Sequence, residues 1–189
     1  MWKYILVGVL AIGILSAGVR VATLALFTDT VAVGANTFST GTVDLTTSPT
    51  TALVTFSNMA PGDKVTNPIT VSNPGSLQYR YAVTSTTTEN VLATALTLAI
   101  KSGVTACTNG GFGTDGAVVR AAAALGNTTA INVIGDPAQG AQTGDRTLAA
   151  AGSEILCFQA ELPLSTGNTS QNISTTATLS FQAEQTVNN

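Results

Sequence analysis

The sequence predicts an all-β fold, an antiparallel sandwich of two sheets, from its composition, its alternating apolar positions and its turns. Charged residues make up 9% of the 189 residues, whereas about 25% is usual in soluble domains. Threonine, alanine, valine, serine, asparagine and glycine dominate the chain instead. Threonine and valine suit the pleated surface of a strand, while β-branched side chains lose rotamer freedom in a helix.

Apolar residues alternate with polar ones in several short segments, which is typical of strands with one buried face. The segments are residues 43–45, 52–56, 69–71, 77–83, 156–162 and 177–183. Turns containing proline and glycine separate some of them, at residues 59–63 and 72–76, because proline presets φ and glycine accepts a positive φ. Short strands divided by such turns indicate a sandwich or a barrel.

The middle of the chain is less regular. Residues 89–98 predict a short helical turn before a strand that runs through Ile100, and residues 103–116 predict a loop rich in glycine, threonine and asparagine. Residues 118–150 predict mostly loop or weak strand. A chain of this length has room for one domain with a substantial core.

The N-terminus predicts export. A short basic start that ends at Lys3 precedes an uncharged apolar run over residues 4–19, which is the arrangement of a signal peptide. The run is shorter than the roughly 20 residues that span a bilayer, Arg20 interrupts it, and a small-residue cleavage site fits after Ala25. We therefore predict a signal peptide over residues 1–25, with a retained membrane anchor as the alternative.

Residues 26–38 predict an N-terminal strand ahead of the sandwich domain, which takes residues 39–189. Phe27, Val31, Val33 and Ala35 fall on one face of this strand, and Asp29 is the exception to the pattern. Nothing in the sequence alone decides whether this strand packs in its own sandwich.

The two cysteines predict a disulfide. In an oxidising compartment outside the cell, Cys107 and Cys157 would pair. A bridge that closes so long a loop contributes about 4 kcal/mol to stability through the entropy of the unfolded chain.

The chain offers few catalytic groups, and we predict neither an enzyme nor a bound cofactor. It contains no histidine to act as a base, and its cysteines are better explained as a pair than as a nucleophile. No spacing of carboxylates, and no serine placed beside Lys64 or Lys101, points to another catalytic arrangement.

Two patterns resemble ligand sites but are explained more simply as loops and turns. Residues 111–116 match the letters of a dinucleotide-binding loop and Asp136 follows at the expected distance, yet no valine-rich strand precedes them and no capped helix follows. Asp115, Asp136 and Asp145 could offer oxygen ligands to calcium, but their spacing matches no EF-hand loop. We predict a glycine loop, turn aspartates and no metal site.

The charge of the chain argues against binding to nucleic acid. Seven basic and ten acidic residues give a net charge of -3, and without a basic patch for phosphates we predict no nucleic-acid partner.

Three asparagines are candidate sites of glycosylation. Asn127, Asn168 and Asn172 each begin an Asn-X-Ser/Thr sequon, the acceptor for N-linked glycans in an exported chain. Such matches also arise by chance in a sequence rich in threonine and asparagine, so both readings stay open.

Eight segments that follow the apolar leader share a pattern with one family of exported proteins. They read ALFTDT at 25–30, NTFSTGTVDL at 36–45, PGD at 61–63, VSNPGS at 71–76, RY at 80–81, GDRTL at 144–148, EILCF at 154–158 and FQAEQ at 181–185. They are spread over residues 25–185, so that the resemblance, which is to the TasA/camelysin family, covers most of the chain.

The resemblance implies a jelly-roll-like sandwich, a leader cleaved by a SipW-type signal peptidase, and polymerisation into biofilm matrix fibres or bundling pili. Each subunit would give its N-terminal strand to its neighbour, so that Phe27, Val31, Val33 and Ala35 fill the neighbour's groove. Sheet edges do accept an extra strand through main-chain hydrogen bonds. The implied partners are further copies of this chain, with accessory or anchoring fibre proteins, at the cell surface or in the extracellular matrix.

Two other functions remain open from the sequence. A monomeric secreted adhesin or binding module could use the same fold, although no exposed aromatic cluster stands out at 5% aromatic residues. Camelysins are also described as surface metalloproteases, but the absence of histidine removes the usual zinc ligands. The prediction is therefore a structural subunit of an extracellular fibre.

Overall fold

The computed structural model of the protein describes residues 39–50 and 59–187. The predicted signal peptide, the N-terminal strand with Phe27, Val31, Val33 and Ala35, and the predicted strand over residues 52–56 lie outside the described residues. The chain divides into two units, Met1–Ser39 and Thr40–Asn189. All the described strands belong to the second unit.

Nine strands and two short helices are formed by the described residues. The strands are β1 (Thr46–Ser48), β2 (Lys64–Ser72), β3 (Tyr79–Thr87), β4 (Thr97–Ser102), β5 (Ala117–Ala124), β6 (Ile131–Ile134), β7 (Arg146–Leu148), β8 (Ser153–Glu161) and β9 (Ala177–Gln185). Helix α1 spans Val91–Ala95, and a 3-10 helix spans Asn168–Ser170. Neither helix in this part of the chain is long and apolar enough to cross a membrane.

The strands form two antiparallel sheets, and the predicted fold class is confirmed. Sheet A has the order β1-β2-β8-β4-β5. Sheet B is centred on β3, which pairs with β9 along its whole length. Strands β6 and β7 pair with residues 83–85 and 79–81 of β3. Both must lie on the edge of β3 opposite β9, because a strand has two edges.

The core lies between the sheets and is built from the alternating apolar positions. Its members are Ile69, Val71, Tyr79, Tyr81, Val83, Leu98, Ile100, Val133, Ile134, Leu148, Leu156 and Phe158. In β9 the residues at 177, 179, 181 and 183 are half-buried, while those at 178, 180 and 182 are exposed. The predicted apolar faces of β8 and β9 are therefore confirmed.

Two segments differ from the prediction. Residues 43–45 precede the first strand, because the carbonyl oxygen of Thr42 accepts the amides of Ser76 and Leu77 and holds this segment at the turn after β2. Residues 117–124, predicted as loop or weak strand, form the strand β5. Alanine has a low strand propensity, but antiparallel pairing with β4 overrides it here.

Asn73 joins the turn between β2 and β3 to the end of β7. Its buried side-chain amide donates to the carbonyl oxygens of Leu77, Leu148 and Ala149 at 2.9, 3.2 and 3.0 Å. Its side-chain oxygen accepts the amide of Gly75 at 3.1 Å. A Cβ at residue 75 would lie 2.5 Å from a main-chain oxygen, so only glycine fits this turn without a shift of the backbone.

Residues 103–116 form a loop that is fastened to the outer face of sheet A. Cys107 and Cys157 are joined in the predicted disulfide, with their Cα atoms 5.6 Å apart. The ammonium of Lys101 donates to the carbonyl oxygens of Phe112 and Asp115 at 2.9 and 3.1 Å. The neighbours of Cys157 in β8 point into the core, so the bridge lies on the opposite face of the sheet.

A polar network links the two sheets. The hydroxyl of Tyr81 in β3 donates to Oε1 of Glu154 at 2.8 Å, and Nε of Arg146 in β7 donates to both oxygens of the same carboxylate at 3.1 and 3.0 Å. Since Glu154 belongs to β8, the network ties sheet B to sheet A. Burial raises the pKa of Tyr81, and the charge of Glu154 adds to the shift. Burial also raises the pKa of Tyr79, to about 12.

Replacing Cys107 by serine should lower the free energy of unfolding by about 4 kcal/mol, because the bridge spans a sequence separation of 50 and restricts the unfolded chain. Urea unfolding of the secreted variant and of the oxidised protein measures the difference. Reduced wild-type protein is the control and should lose a similar amount. Equal stability with and without the bridge would contradict the assignment.

Stability should fall as the pH rises from 10 to 12. An unfolded tyrosine loses its proton near pH 10, whereas folded Tyr79 keeps its proton up to a pKa of about 12. The folded state binds more protons in this window and loses up to about 1.4 kcal/mol per pH unit for each such tyrosine. Thermal melts across this range should show a shallower decline for Tyr79→Phe, and parallel declines would refute the linkage.

Candidate functional site

A groove lies between the two sheets on one side of the sandwich. Its volume is about 1350 Å³, which exceeds the roughly 300–1,000 Å³ of typical small-molecule pockets. Strand β9 forms one wall, and Thr47, Pro49 and Thr50 border it at the edge of sheet A. On the other side of the sandwich β5 and β6 contact each other, so the two sides differ.

Polar residues between 166 and 178 line part of the groove, and apolar side chains from both sheets, from α1 and from the segments that follow these elements line the rest. They are Ile69, Leu92, Leu96, Leu98, Leu125, Phe158, Ala160, Leu162, Leu179 and Phe181. Four of these, Leu92, Leu125, Leu179 and Phe181, are only half-buried. Covering their remaining apolar surface would stabilise a bound segment by roughly 25 cal/mol per Å².

The two edges of β9 differ in their pairing among the described residues. Its partner β3 takes one edge, and within the described ranges no strand pairs with the other edge between residues 177 and 183. The half-buried side chains of Leu179 and Phe181 point into the groove beside this edge. An unpaired edge presents main-chain N–H and C=O groups that another strand can pair. Every second side chain of such an added strand would lie over the groove.

Residues 166–176, which we call the strap, run from β8 towards β9 and form the rim of the groove. The amide of Thr88 donates to the carbonyl oxygen of Thr176 at 3.1 Å, and the amide of Thr176 donates back to the Thr88 hydroxyl at 3.0 Å. These bonds hold the end of the strap against the end of β3. Close to the rim, Leu164 is 82% exposed.

The aspartates of the predicted turns lie in two separate loops. Asp145 accepts the amides of Asp136 and Gln142 at 3.0 and 2.8 Å, and Asp136 accepts the amide of Ala138 at 2.9 Å. Asp115 lies elsewhere, in the loop of residues 103–116 that contains Cys107 and that we call the disulfide loop. Its carboxylate accepts the amide of residue 105. Each carboxylate therefore orders its own loop.

The other described carboxylates are mostly engaged as well. Glu161 pairs with Lys64 at 3.1 Å, Glu184 pairs with Arg80 at 2.7 Å, and Glu154 is held in the network between the sheets. Within residues 39–50 and 59–187, no three histidine, cysteine, aspartate or glutamate residues form a group that could hold a metal ion.

The glycine-rich motif and the sequons fall in different places. Residues 111–116 belong to the disulfide loop, where a Cβ at Gly111 would clash with the carbonyl oxygen of Ala106, so packing accounts for this glycine. Asn127 follows β5 and is half-buried, whereas Asn168 and Asn172 are exposed on the strap.

The groove and the strap are the features that reasoning from the sequence missed. Residues 163–176 are polar and show no alternation, so they predict only a loop. The groove results from the order in which distant strands pair, and local patterns carry no signal for that order. The alternating residues of β9 do predict its inward face, but they carry no signal for which of its edges is paired.

Comparisons with known proteins bear on the family more than on the fold. No curated protein matches the chain. Among solved structures, it is similar to the ASH/PapD-like domain of human CEP192 (PapD-like domain 7), with 12% identity over 84% of this chain and 98% of that chain. The TM-score is 0.28, which is too low to be evidence of a shared fold.

A family model supplies the assignment. The model, described as Peptidase_M73, camelysin metallo-endopeptidase, matches residues 3–97, which is half of the chain. The match includes the apolar leader, the predicted N-terminal strand and β1 to β3. The resemblance drawn from the sequence is confirmed, and the chain belongs to the camelysin/TasA family.

Proposed function

We propose that this protein is a secreted structural subunit of an extracellular fibre, and that each subunit donates residues 26–38 to the groove of the next. The observation that carries the proposal is an edge of β9, over residues 177–183, that no described strand pairs and that lies beside a groove with apolar side chains. Strand addition at a sheet edge combines main-chain hydrogen bonds with pockets for alternate side chains. Both requirements meet at this groove.

The predicted donor strand matches β9 in length and pattern. Residues 27–35, which carry the apolar face, would span about 26 Å when extended, and residues 177–183 of β9 span about 20 Å. Paired with β9, the donor would place Val31 and Val33 over the groove beside Leu179 and Phe181. Asp29 interrupts this face, so it is expected near one end of the groove, within reach of water.

The name of the family does not carry over to this chain as an activity. The sequence contains no histidine, and the acidic side chains of the described residues order loops or pair with cations instead of converging on one point. These residues do not fit a metal site, and we propose a non-enzymatic role.

The proposed function also fixes the processing and location of the protein. A SipW-type signal peptidase would remove residues 1–25, and assembly would follow at the cell surface or in the biofilm matrix, where accessory or anchoring proteins are further partners. The disulfide between Cys107 and Cys157 supports an oxidising exterior, since such bridges are rare in the cytosol.

The double substitution Val31→Asp with Val33→Asp should abolish fibres and leave the subunit folded. Two carboxylates would have to enter an apolar groove, and burying unpaired charges is strongly unfavourable. Negative-stain electron microscopy of residues 26–189 detects the fibres, and circular dichroism checks the fold.

The double substitution Thr28→Asp with Thr30→Asp is the matched control, because the alternation of the sequence predicts these residues on the opposite face of the same strand. This variant should still polymerise. Fibres formed by the Val31→Asp with Val33→Asp variant would contradict strand donation. Wild-type protein that stays monodisperse would favour a monomeric surface binding module.

Mixing two defective variants should separate donation from packing within one subunit. The first variant carries Val31→Asp with Val33→Asp and keeps its groove. The second carries Leu179→Arg, which blocks the groove and leaves its own strand intact. Each should be monomeric alone, and together they should form one-to-one dimers, because only the second can donate and only the first can accept.

Light scattering coupled to gel filtration measures the outcome. Ser180→Arg, on the exposed face of β9, is the control for Leu179→Arg and should polymerise as wild type does. A mixture that stays monomeric would show that the N-terminal strand packs in its own subunit. If Leu179→Arg melts much below Ser180→Arg, then Phe181→Gln replaces it as the groove variant.

A further inference from the structure

The strap combines exposure with two modification sequons. Asn168 begins one sequon with Ser170, and Asn172 begins the other with Ser174. Both asparagines are exposed, and within the described part of the chain neither side-chain amide takes part in a hydrogen bond. Their amide nitrogens are therefore accessible to a modifying enzyme, and a bulky adduct there would displace no contact of the fold.

The backbone of the strap also suits an adduct. Asn172 has φ of 57°, a left-handed conformation that asparagine tolerates better than most residues. The residue ends a turn at the rim of the groove and is exposed, and it does not lie in a strand. Residues 168–170 form a single 3-10 turn, so neither sequon is locked into a sheet.

The third sequon is placed differently. Asn127 is half-buried, and its side-chain oxygen accepts the amide of Thr129 at 3.2 Å, within its own turn. Its carbonyl oxygen accepts the amide of Thr87 at 2.9 Å, which anchors the turn to the end of β3. A glycan at this position would have to fit against the sandwich.

We propose that the strap carries N-linked glycans on Asn168 and Asn172 and that Asn127 is unmodified. The reaction joins Nδ2 of asparagine to the anomeric carbon of a sugar, which is supplied as a polyprenyl-phosphate-linked or pyrophosphate-linked oligosaccharide. The lipid phosphate is the leaving group, and the amide proton is released. The serine hydroxyl two residues on is part of the acceptor sequence.

The inference rests on the proposed function in one respect, because it requires export. It adds a chemical role to the strap: sugars on it would flank the proposed site of the donor strand and hydrate the rim of the groove, close to the exposed Leu164. Such sugars are bulky and solubilising, and the chain itself has few charged residues to do the same.

The test is mass spectrometry of the protein recovered from the extracellular fraction of its native source. Digestion with trypsin and with a glutamate-specific protease yields residues 121–146 and 162–184, which separate the Asn127 sequon from the two on the strap. We expect two glycans on peptide 162–184 and none on 121–146. An unmodified strap peptide, or a glycan confined to Asn127, overturns the proposal, and one glycan on the strap overturns the assignment of the other asparagine.

Variants keep the assignment independent of folding. Ser170→Ala and Ser174→Ala each remove one sequon without touching an asparagine, and each should lower the intact mass by one glycan. Ser174→Thr retains its sequon and should keep both glycans, as should Thr129→Ala, so that their masses differ from wild type only by the substitution. A serine-to-alanine variant whose mass falls only by the lost oxygen atom would refute the site in question.

Fibre formation is scored separately on the same samples. If the protein forms fibres and its strap is unmodified, the glycosylation proposal is wrong and the proposed function is not affected. If the protein is absent from the extracellular fraction, both the glycosylation proposal and the proposed function are wrong.

Discussion

The pairing of β3 with β9 along the full length of both strands is the interaction on which the rest of the structure depends. It brings the last strand of the chain into sheet B, where the rings of Tyr81 and Phe181 lie 6.2 Å apart. Because β6 and β7 occupy the other edge of β3, β9 is the outermost described strand of sheet B on the groove side. The groove and the strap follow from this one placement.

The disulfide and the polar contacts that stabilise the sandwich lie away from the groove. The disulfide loop lies on the outer face of sheet A, Asn73 joins the turn after β2 to the end of β7, and Glu154 connects the sheets through Tyr81 and Arg146. These contacts hold the two sheets together at some distance from the groove, in addition to the core residues Ile69, Leu98 and Phe158 that line it. Such preorganisation reduces the ordering cost of binding, so an incoming strand would meet a formed site.

Much of the local structure could be predicted from the sequence, whereas the order in which the strands pair could not. The alternation in β8 and β9, the turn at Asn73 and the bridge between the cysteines each depend on near neighbours or on the compartment. Strand β5 was underestimated because its alanines have low strand propensity and its partner β4 decides its conformation. The groove was invisible for a related reason, since it is bounded by residues from 47 to 181 that only the tertiary structure brings together.

Hydrogen–deuterium exchange along β9 tests the central claim most directly. In protein that lacks residues 26–38, the amides of residues 177–183 that point away from β3 should exchange quickly, because no described strand pairs with that edge of β9. A synthetic peptide of residues 26–38 should slow them, a peptide with Val31→Asp and Val33→Asp should not, and the amides of β5 should be unaffected. Unchanged exchange along β9 in assembled fibres would contradict the account.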